Sequence, residues 1–304
     1  MVVRSKIYIG AVCNRDVEVF NQIQKFFKLN YYNKISIISL LKKDNSFSTK
    51  HFKKKIKKYP ISFLIVKLYS EPSNQIIYNA IRTYLPNIPT LNSMNSVSTC
   101  ESRNETFRFL EKKSKKLNIP KTYFSIKDAY DACCQGVKII IKLDIHNAPH
   151  VSKDDRILGI AKTPEQFLTL IHNYKEEKLF FQEYLGKFDI VHKLYVIGKF
   201  SVCITSHNRF RQDKLSQLEL IHIRVPIDKK FKRELLRIGR KLRLSIFGVD
   251  FIITEDGIPF IVDLNDFPSF RNVPEAVSLI SDHIFNLFTS QQTIYKASKK
   301  VKIK

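Results

Sequence analysis

A chain of 304 residues, 44% hydrophobic and 12% aromatic, is long enough for two or three lobes and is globular rather than disordered or fibrous in composition. Its 52 Lys and Arg against 28 Asp and Glu leave a net charge of +24, attractive to nucleic acid, anionic membrane or a polyphosphorylated small molecule, though a generally Lys-rich composition gives the same figure. No apolar run approaches the ~18 residues of a membrane span.

The five cysteines at 13, 100, 133, 134 and 203 form no C-x-x-C pattern, and the N-terminus runs almost directly into a strand at Ile7. Together these features predict a reduced, cytoplasmic chain with no structural zinc and no signal peptide. The oligomeric state is left open, a monomer being compatible. The basic tail from Lys296 to Lys304 reads as a solvated, frayed end.

In chain order, strands are expected over 6–12, 35–41 and 61–68, alternating with helices over 17–28, 50–58 and 73–85. This rhythm predicts a doubly wound α/β lobe over residues 1–95, with binding past the carboxyl ends of its strands, where Lys67 lies. Pro86 and Pro89 break the pattern. A middle lobe over 96–186 follows, with a helix over 99–116 that places Arg103, Phe107 and Leu110 at helical spacing. It continues with a helix over 125–134, an apolar strand from Val137 to a terminal Lys142, a polar loop, a helix capped near Thr163, and the segment Leu179–Leu185. The last lobe, 187–304, opens with strands over 193–197 and 200–205 turning at Gly198-Lys199, then has a helix over 230–242.

Residues 247–270 carry the chemistry. They read as two apolar strands joined at Asp256-Gly257, a strong hairpin signal. With those two as the turn, cross-strand partners sum to 513, so Asp250 opposes Asp263, and Asn265 follows on the same face. Like charges placed so destabilise a half-buried sheet by roughly 0.2–1 kcal/mol unless a cation or a proton lies between them. Hard oxygen donors without Cys or His suit Mg²⁺, which takes one or two carboxylates, waters and a substrate phosphate. A surface hairpin with solvated acids is the alternative. Lys142 makes a separate case, because an ammonium at the end of a buried strand is costly unless it meets an anion or snorkels to water.

These motifs resemble the ATP-grasp fold, and within it most closely the inositol 1,3,4-trisphosphate 5/6-kinase family. The resemblance spans about 60–285 and rests on Lys67-Leu68, Lys193-Leu-Tyr-Val-Ile-Gly198 and above all Asp263-Leu-Asn-Asp-Phe-Pro268. It implies an α/β fold with a doubly wound pre-ATP-grasp lobe and a Mg-ATP-dependent phosphotransferase acting on an inositol phosphate or similar polyanion. ATP and Mg²⁺ are then the cofactors, with Asp250, Asp263 and Asn265 holding the metal. It further implies that Lys142 and Arg103 contact ATP phosphates, that Gln182, Glu183, Tyr184 and Leu185 face adenine, and that Lys67 and Lys193 face the second substrate.

The chain departs from the Gly-rich phosphate loop of many ATP-grasp ligases: residues 143–156 contain no glycine. The inositol kinases depart there too, which implies phosphate or substrate contact by His146, His150, Lys153 and Arg156. Lys142, His146 and Lys193 are thus the candidate catalytic residues. Arg103 stands one place off the position expected in that family, and Asp266 and Ser269 replace a neutral residue and a glycine. The alternative is a RimK-like carboxylate–amine ligase, whose Asp-Ile-Arg is similar to Asp189-Ile-Val-His-Lys here. A basic nucleic-acid-binding protein is more remote, since the aromatic residues lie on apolar strands and read as core.

Overall fold

The computed structural model describes residues 6–31, 35–149, 151, 156–175, 178–207 and 222–301, with side chains in the last helix described as far as residue 289. The first part of the chain alternates β1 (Ile7–Cys13), α1 (Val17–Tyr31), β2 (Ile35–Ser39), α2 (Thr49–Lys58), β3 (Ile61–Lys67) and α3 (Asn74–Tyr84), ending in the short β4 (Thr90–Leu91). Its strands pair in parallel in the order β2-β1-β3-β4. Both faces are covered, as a parallel sheet requires. Ile9, Ala11, Phe63 and Ile65 point toward α1 and the last part of the chain, while Val12, Leu64 and Val66 pack with Phe52 of α2 and Ile77 and Tyr78 of α3.

The single helix expected over 99–116 is two, α4 (Met94–Glu101) and α5 (Arg103–Lys113). Ser102 sits between them in extended backbone (φ −110°, ψ 130°), and its hydroxyl caps α5 by accepting from the Glu105 amide. A side chain that offers the backbone this local bond favours a cap over a helix interior. Cys100, Phe107 and Leu110, although grouped by sequence with the middle lobe, pack into the core of the last sheet.

The middle sheet is antiparallel, of order β5-β8-β6-β7, from β5 (Thr122–Tyr123), β6 (Ile139–Leu143), β7 (Ile157–Ala161) and β8 (Leu179–Glu183). Helices α6 (Ile126–Cys134) and α7 (Pro164–Ile171) cover one face, forming a core with Ile139, Ile141, Phe167 and Phe181 that contains no residue of the other two sheets. The last sheet has the order β10-β9-β11-β12, from β9 (Ile190–Ile197), β10 (Phe200–His207), β11 (Ile246–Ile253) and β12 (Pro259–Asp266). Helix α8 (Lys229–Lys241) packs under it through Phe231, Leu235 and Ile238. Helix α9 (Ala276–Val301) returns to the first lobe, where Ile280 and Ile284 share one core with Phe27 and Ile23 of α1 and Tyr195 of β9. Among the described residues no helix is long and apolar enough to cross a membrane.

The β11–β12 register is the expected one at the acids, Asp250 opposite Asp263, but for a different reason. The turn is longer than two residues. The Thr254 amide donates to the Ile258 carbonyl at 3.0 Å, with Gly257 at φ +76°, and near the tip Ile253 pairs with Pro259. A bulge between Asp250 and Phe251 then shifts the pairing by one and restores the 513 register.

Gly239 in α8 tests this packing. Alanine is the better helix former by about 1 kcal/mol, yet a Cβ there would overlap the Phe247 ring of β11. Gly239→Ala is expected to destabilise the protein by about 1–3 kcal/mol in denaturant unfolding, as overpacking does. A stabilised variant would show that helix and ring are not in contact.

Candidate active site

Strand alternation sets what faces what. On the middle sheet Ile139, Ile141, Leu179 and Phe181 turn into that lobe's own core, so Ile140, Lys142 and Gln182 turn the other way. On the last sheet Leu194, Phe247, Val249, Phe251, Ile261 and Leu264 face α8, leaving Lys193, Asp250, Asp263 and Asn265 on the opposite face. The two polar faces bound one cleft of about 460 Å³, closed on a third side by residues of the first lobe.

Lys193, Asp250 and Asp263 form a row across three neighbouring strands. Lys193 Nζ lies 3.0 Å from Asp250 Oδ2. Asp263 is paired from outside its sheet, by His146 Nε2 at 2.7 Å and Arg103 Nε at 3.8 Å. Burial opposes ionisation of Asp263, but the charges of His146, Arg103 and Lys142 together outweigh it and hold the carboxyl well below the usual carboxylate range. Asp263 Oδ1 is buried, and the His146 ring is its nearest partner. The Asn265 amide lies 3.3 Å from Asp263 Oδ2. An ionised carboxylate, a second carboxylate and an amide are a donor set that could hold a hard divalent cation. Among the described residues no group of three or more His, Cys, Asp or Glu forms a metal cluster, so such a site rests on this smaller set.

Facing them, Lys142 Nζ lies 3.3 Å from Gln182 Oε1 and 3.5 Å from the Val262 carbonyl. Burial pushes its pKa down to about 8, aided by Arg103 and opposed by Asp263 and Asp250. The wall continues through Glu183, Tyr184 and Leu185 to Gly186. Gln182 is 1% exposed, and its Nε2 has no partner.

Arg103 does more for the loop after β6 than for open space. Its Nη1 donates to the carbonyls of Leu143 and Ile145 at 2.6 and 2.8 Å. Arg156 likewise donates to the carbonyls of His146, Ala148 and Val151. His146, read from sequence as part of a phosphate-covering loop, lines the cleft and is buried at 2% exposure against Asp263. His150 and Lys153 lie outside the described residues.

Lys67 corrects an expectation. It does not face a substrate: it is 2% exposed, and its ammonium is taken by Asp16 Oδ2 at 3.1 Å and the carbonyls of Phe267 and Pro268 at 2.7 and 3.0 Å. Parity explains this, since Lys67 continues the Phe63, Ile65 face of β3 that is packed by the last lobe. Arg15 and Asp16, at the carboxyl end of β1, line the cleft and went unnoticed in the sequence. The strand-end rule that drew attention to Lys67 applies equally to them.

No protein-family model matches the sequence, and no curated protein matches it. Solved structures do. The D-alanine–D-alanine ligase of Bacillus anthracis complexed with ATP has a TM-score of 0.66 at 14% identity, over 95% of this chain and 99% of that one. The macrocyclase MdnC of Microcystis aeruginosa bound with precursor peptide MdnA gives 0.62 at 14% identity, over 92% and 99%. A RimK domain ATP-grasp protein of Sphaerobacter thermophilus gives 0.62 at 12%, over 91% and 99%. The chain has the ATP-grasp fold expected from its motifs. The narrower resemblance to inositol phosphate kinases has no counterpart in these three structures.

The Lys142 pKa gives a signed prediction. Its ordinary value is 10.5 and its folded value about 8, so below pH 8 the folded state carries a burial penalty that disappears as pH rises to 10.5. Lys142→Met is therefore expected to exceed the wild type in stability at pH 7, by at most about 3 kcal/mol, with the advantage shrinking between pH 8 and 10.5. Melting curves of both proteins across that window check this.

Proposed function

We propose that this protein is an ATP- and Mg²⁺-dependent ligase that activates a carboxylate as an acyl phosphate and joins it to an amine. The observation that carries this is the facing of Lys142 on one sheet and Asp250, Asp263 and Asn265 on another across a single cleft. Support comes from the fold neighbours, one a ligase complexed with ATP and another a macrocyclase bound with a precursor peptide.

In this chemistry a carboxylate oxygen bonds to the γ-phosphorus of ATP as the bond to the β,γ-bridging oxygen breaks and ADP leaves. The amine then bonds to the acyl carbon, inorganic phosphate leaves, and the amine proton passes to solvent or a base. Asp250, Asp263 and Asn265 would hold Mg²⁺, which would supply neutralisation of phosphate charge. Lys142 supplies a fixed cation for the phosphates and gains back the solvation that burial removed. Gln182–Leu185 line the nucleotide end, and Arg103 and Arg156 hold the 143–151 loop so that His146 stays on Asp263. Lys193, paired with Asp250, is the residue we assign to the second substrate.

An inositol phosphate kinase, the first expectation from the motifs, finds less support. Of the lysines assigned to a polyanionic acceptor, Lys67 is buried against Asp16 and two carbonyls and Lys193 is matched by Asp250. The two readings separate in one assay. With Mg²⁺, γ-labelled ATP and hydroxylamine, a ligase releases labelled phosphate and yields a hydroxamate only when its carboxylate substrate is present among amino acids and peptides; label on an inositol phosphate would reverse our choice. Asp263→Asn is expected to lower turnover by roughly 10²–10³-fold while unfolding in a single transition. Wild-type turnover in that variant would overturn the metal assignment.

A further inference from the structure

The end of β12 is positioned by more than its own sheet, which holds it through the Asp266–Phe247 pairing and the Phe267 amide on the Ile246 carbonyl at 3.1 Å. Directly after Asn265, three consecutive carbonyls turn toward the first lobe, and two buried cations receive them. Arg15 Nη2 donates to the Asp266 carbonyl at 2.8 Å and the Phe267 carbonyl at 3.1 Å. Lys67 Nζ donates to the Phe267 carbonyl at 2.7 Å and the Pro268 carbonyl at 3.0 Å. Between these bonds Phe267 adopts φ +39°, a conformation that a bulky residue keeps only where its surroundings over-determine it. Its ring is buried, 4.6 Å beneath the Lys67 ammonium.

The neighbouring strand at the same open end of the hairpin is held from the same lobe. Asn92, just after β4, accepts from the Ser245 and Ile246 amides through Oδ1 and donates to the Ile246 carbonyl through Nδ2 at 2.7 Å. The first lobe thus grips β11 where it begins and β12 where it ends, side by side at the open end of the hairpin, with the paired acids three residues further in.

The charges around Lys67 and Arg15 are matched by Asp16 and Asp266, with Arg271 joining Asp16 from the surface. Lys67, at 2% exposure, is closed to a ligand, and the cluster is held together by its own charges. It has donors aimed at one loop.

We propose that Lys67 and Arg15 are positioning residues: from the first lobe they fix the backbone after Asn265 and thereby set the spacing of Asp263 and Asn265 for a divalent cation. This rests on the reading of those residues as a metal site. A buried ammonium is a costly way to fill a core, and here its donors hold in place a turn whose positive-φ residue, Phe267, lies two residues beyond the metal strand's last donor, Asn265. The effect of removing it therefore falls on metal affinity more than on nucleotide affinity.

The test uses Mn²⁺ as the probe, counted by electron paramagnetic resonance on the full chain with ADP present, alongside calorimetry of ADP without metal. Lys67→Met is expected to weaken Mn²⁺ binding about tenfold, as loss of an outer-shell partner does, with metal-free ADP binding unchanged. Arg15→Met is expected to act in the same direction, and the double variant to be weaker than either by less than the product of the two effects, because both act through one loop. Equal Mn²⁺ affinity in a folded Lys67→Met overturns the proposal, as does a parallel loss of metal and metal-free nucleotide binding, which would mark a general structural role. If the wild type itself binds no Mn²⁺, the metal-site reading falls and this inference falls with it; if the wild type binds and the variants match it, only the inference falls.

Discussion

Two aspartates stand side by side on β11 and β12 because cations from elsewhere in the chain meet them. Asp250 is met by Lys193 from the adjacent strand, Asp263 by His146 and Arg103 from the loop and helix of another part of the fold, and Lys142 faces both. Each pairing alone is modest, and a buried ion pair is no guarantee of stability. Their arrangement nevertheless fixes where β6, the 143–151 loop and α5 stand relative to the last sheet, since moving any of them would leave an ionised carboxylate uncompensated in a poorly hydrated cleft.

That constraint explains why so few of the site's cations are free. Arg103 and Arg156 are spent on carbonyls of the loop that carries His146, and Lys67 and Arg15 on carbonyls of the turn after Asn265. Lys142 is the exception. It has one neutral side-chain partner and one distant carbonyl, and burial presses it toward deprotonation. An ammonium in this position is the group that gains most from an incoming anion, which is why it rather than the more numerous surface lysines gives the cleft its chemical direction.

Much of the fold was legible in the sequence because period-2 and period-3.6 patterns are local. The strands and helices of the first lobe, the end of β6 at Lys142 and the opposition of Asp250 to Asp263 could all be read off the chain. The last was right through two compensating features that no pattern announces, a longer turn and a bulge. Other features depend on distant partners. That the cap at Ser102 splits a helix was visible in residue type but not weighed against helical spacing. The inward fate of Lys67 required knowing which face of β3 the last lobe would cover, and the burial of His146 required knowing that its loop lies against Asp263. Arg15 and Asp16 carry no motif; only their place at a strand end marks them.

The cores of the three sheets are unequal in their independence. The first and last sheets are welded through α1, α9 and β9, whereas α6, α7 and one face of the middle sheet pack only among themselves. The other face of the middle sheet is joined to the rest by Phe180, which packs in the core of the last sheet, and by many bonds, among them the Arg103 amide to the Asp144 carbonyl at 2.9 Å, the His146 amide to the Glu101 carbonyl at 3.0 Å, the Ser70 amide to the Asn147 carbonyl at 3.0 Å and the Ile261 amide to the Asn118 carbonyl at 3.0 Å. The shape of the cleft that any ligand meets depends on these contacts. Residues that never touch the ligand, Ser70 and Asn118 among them, thereby share in setting how tightly it is held.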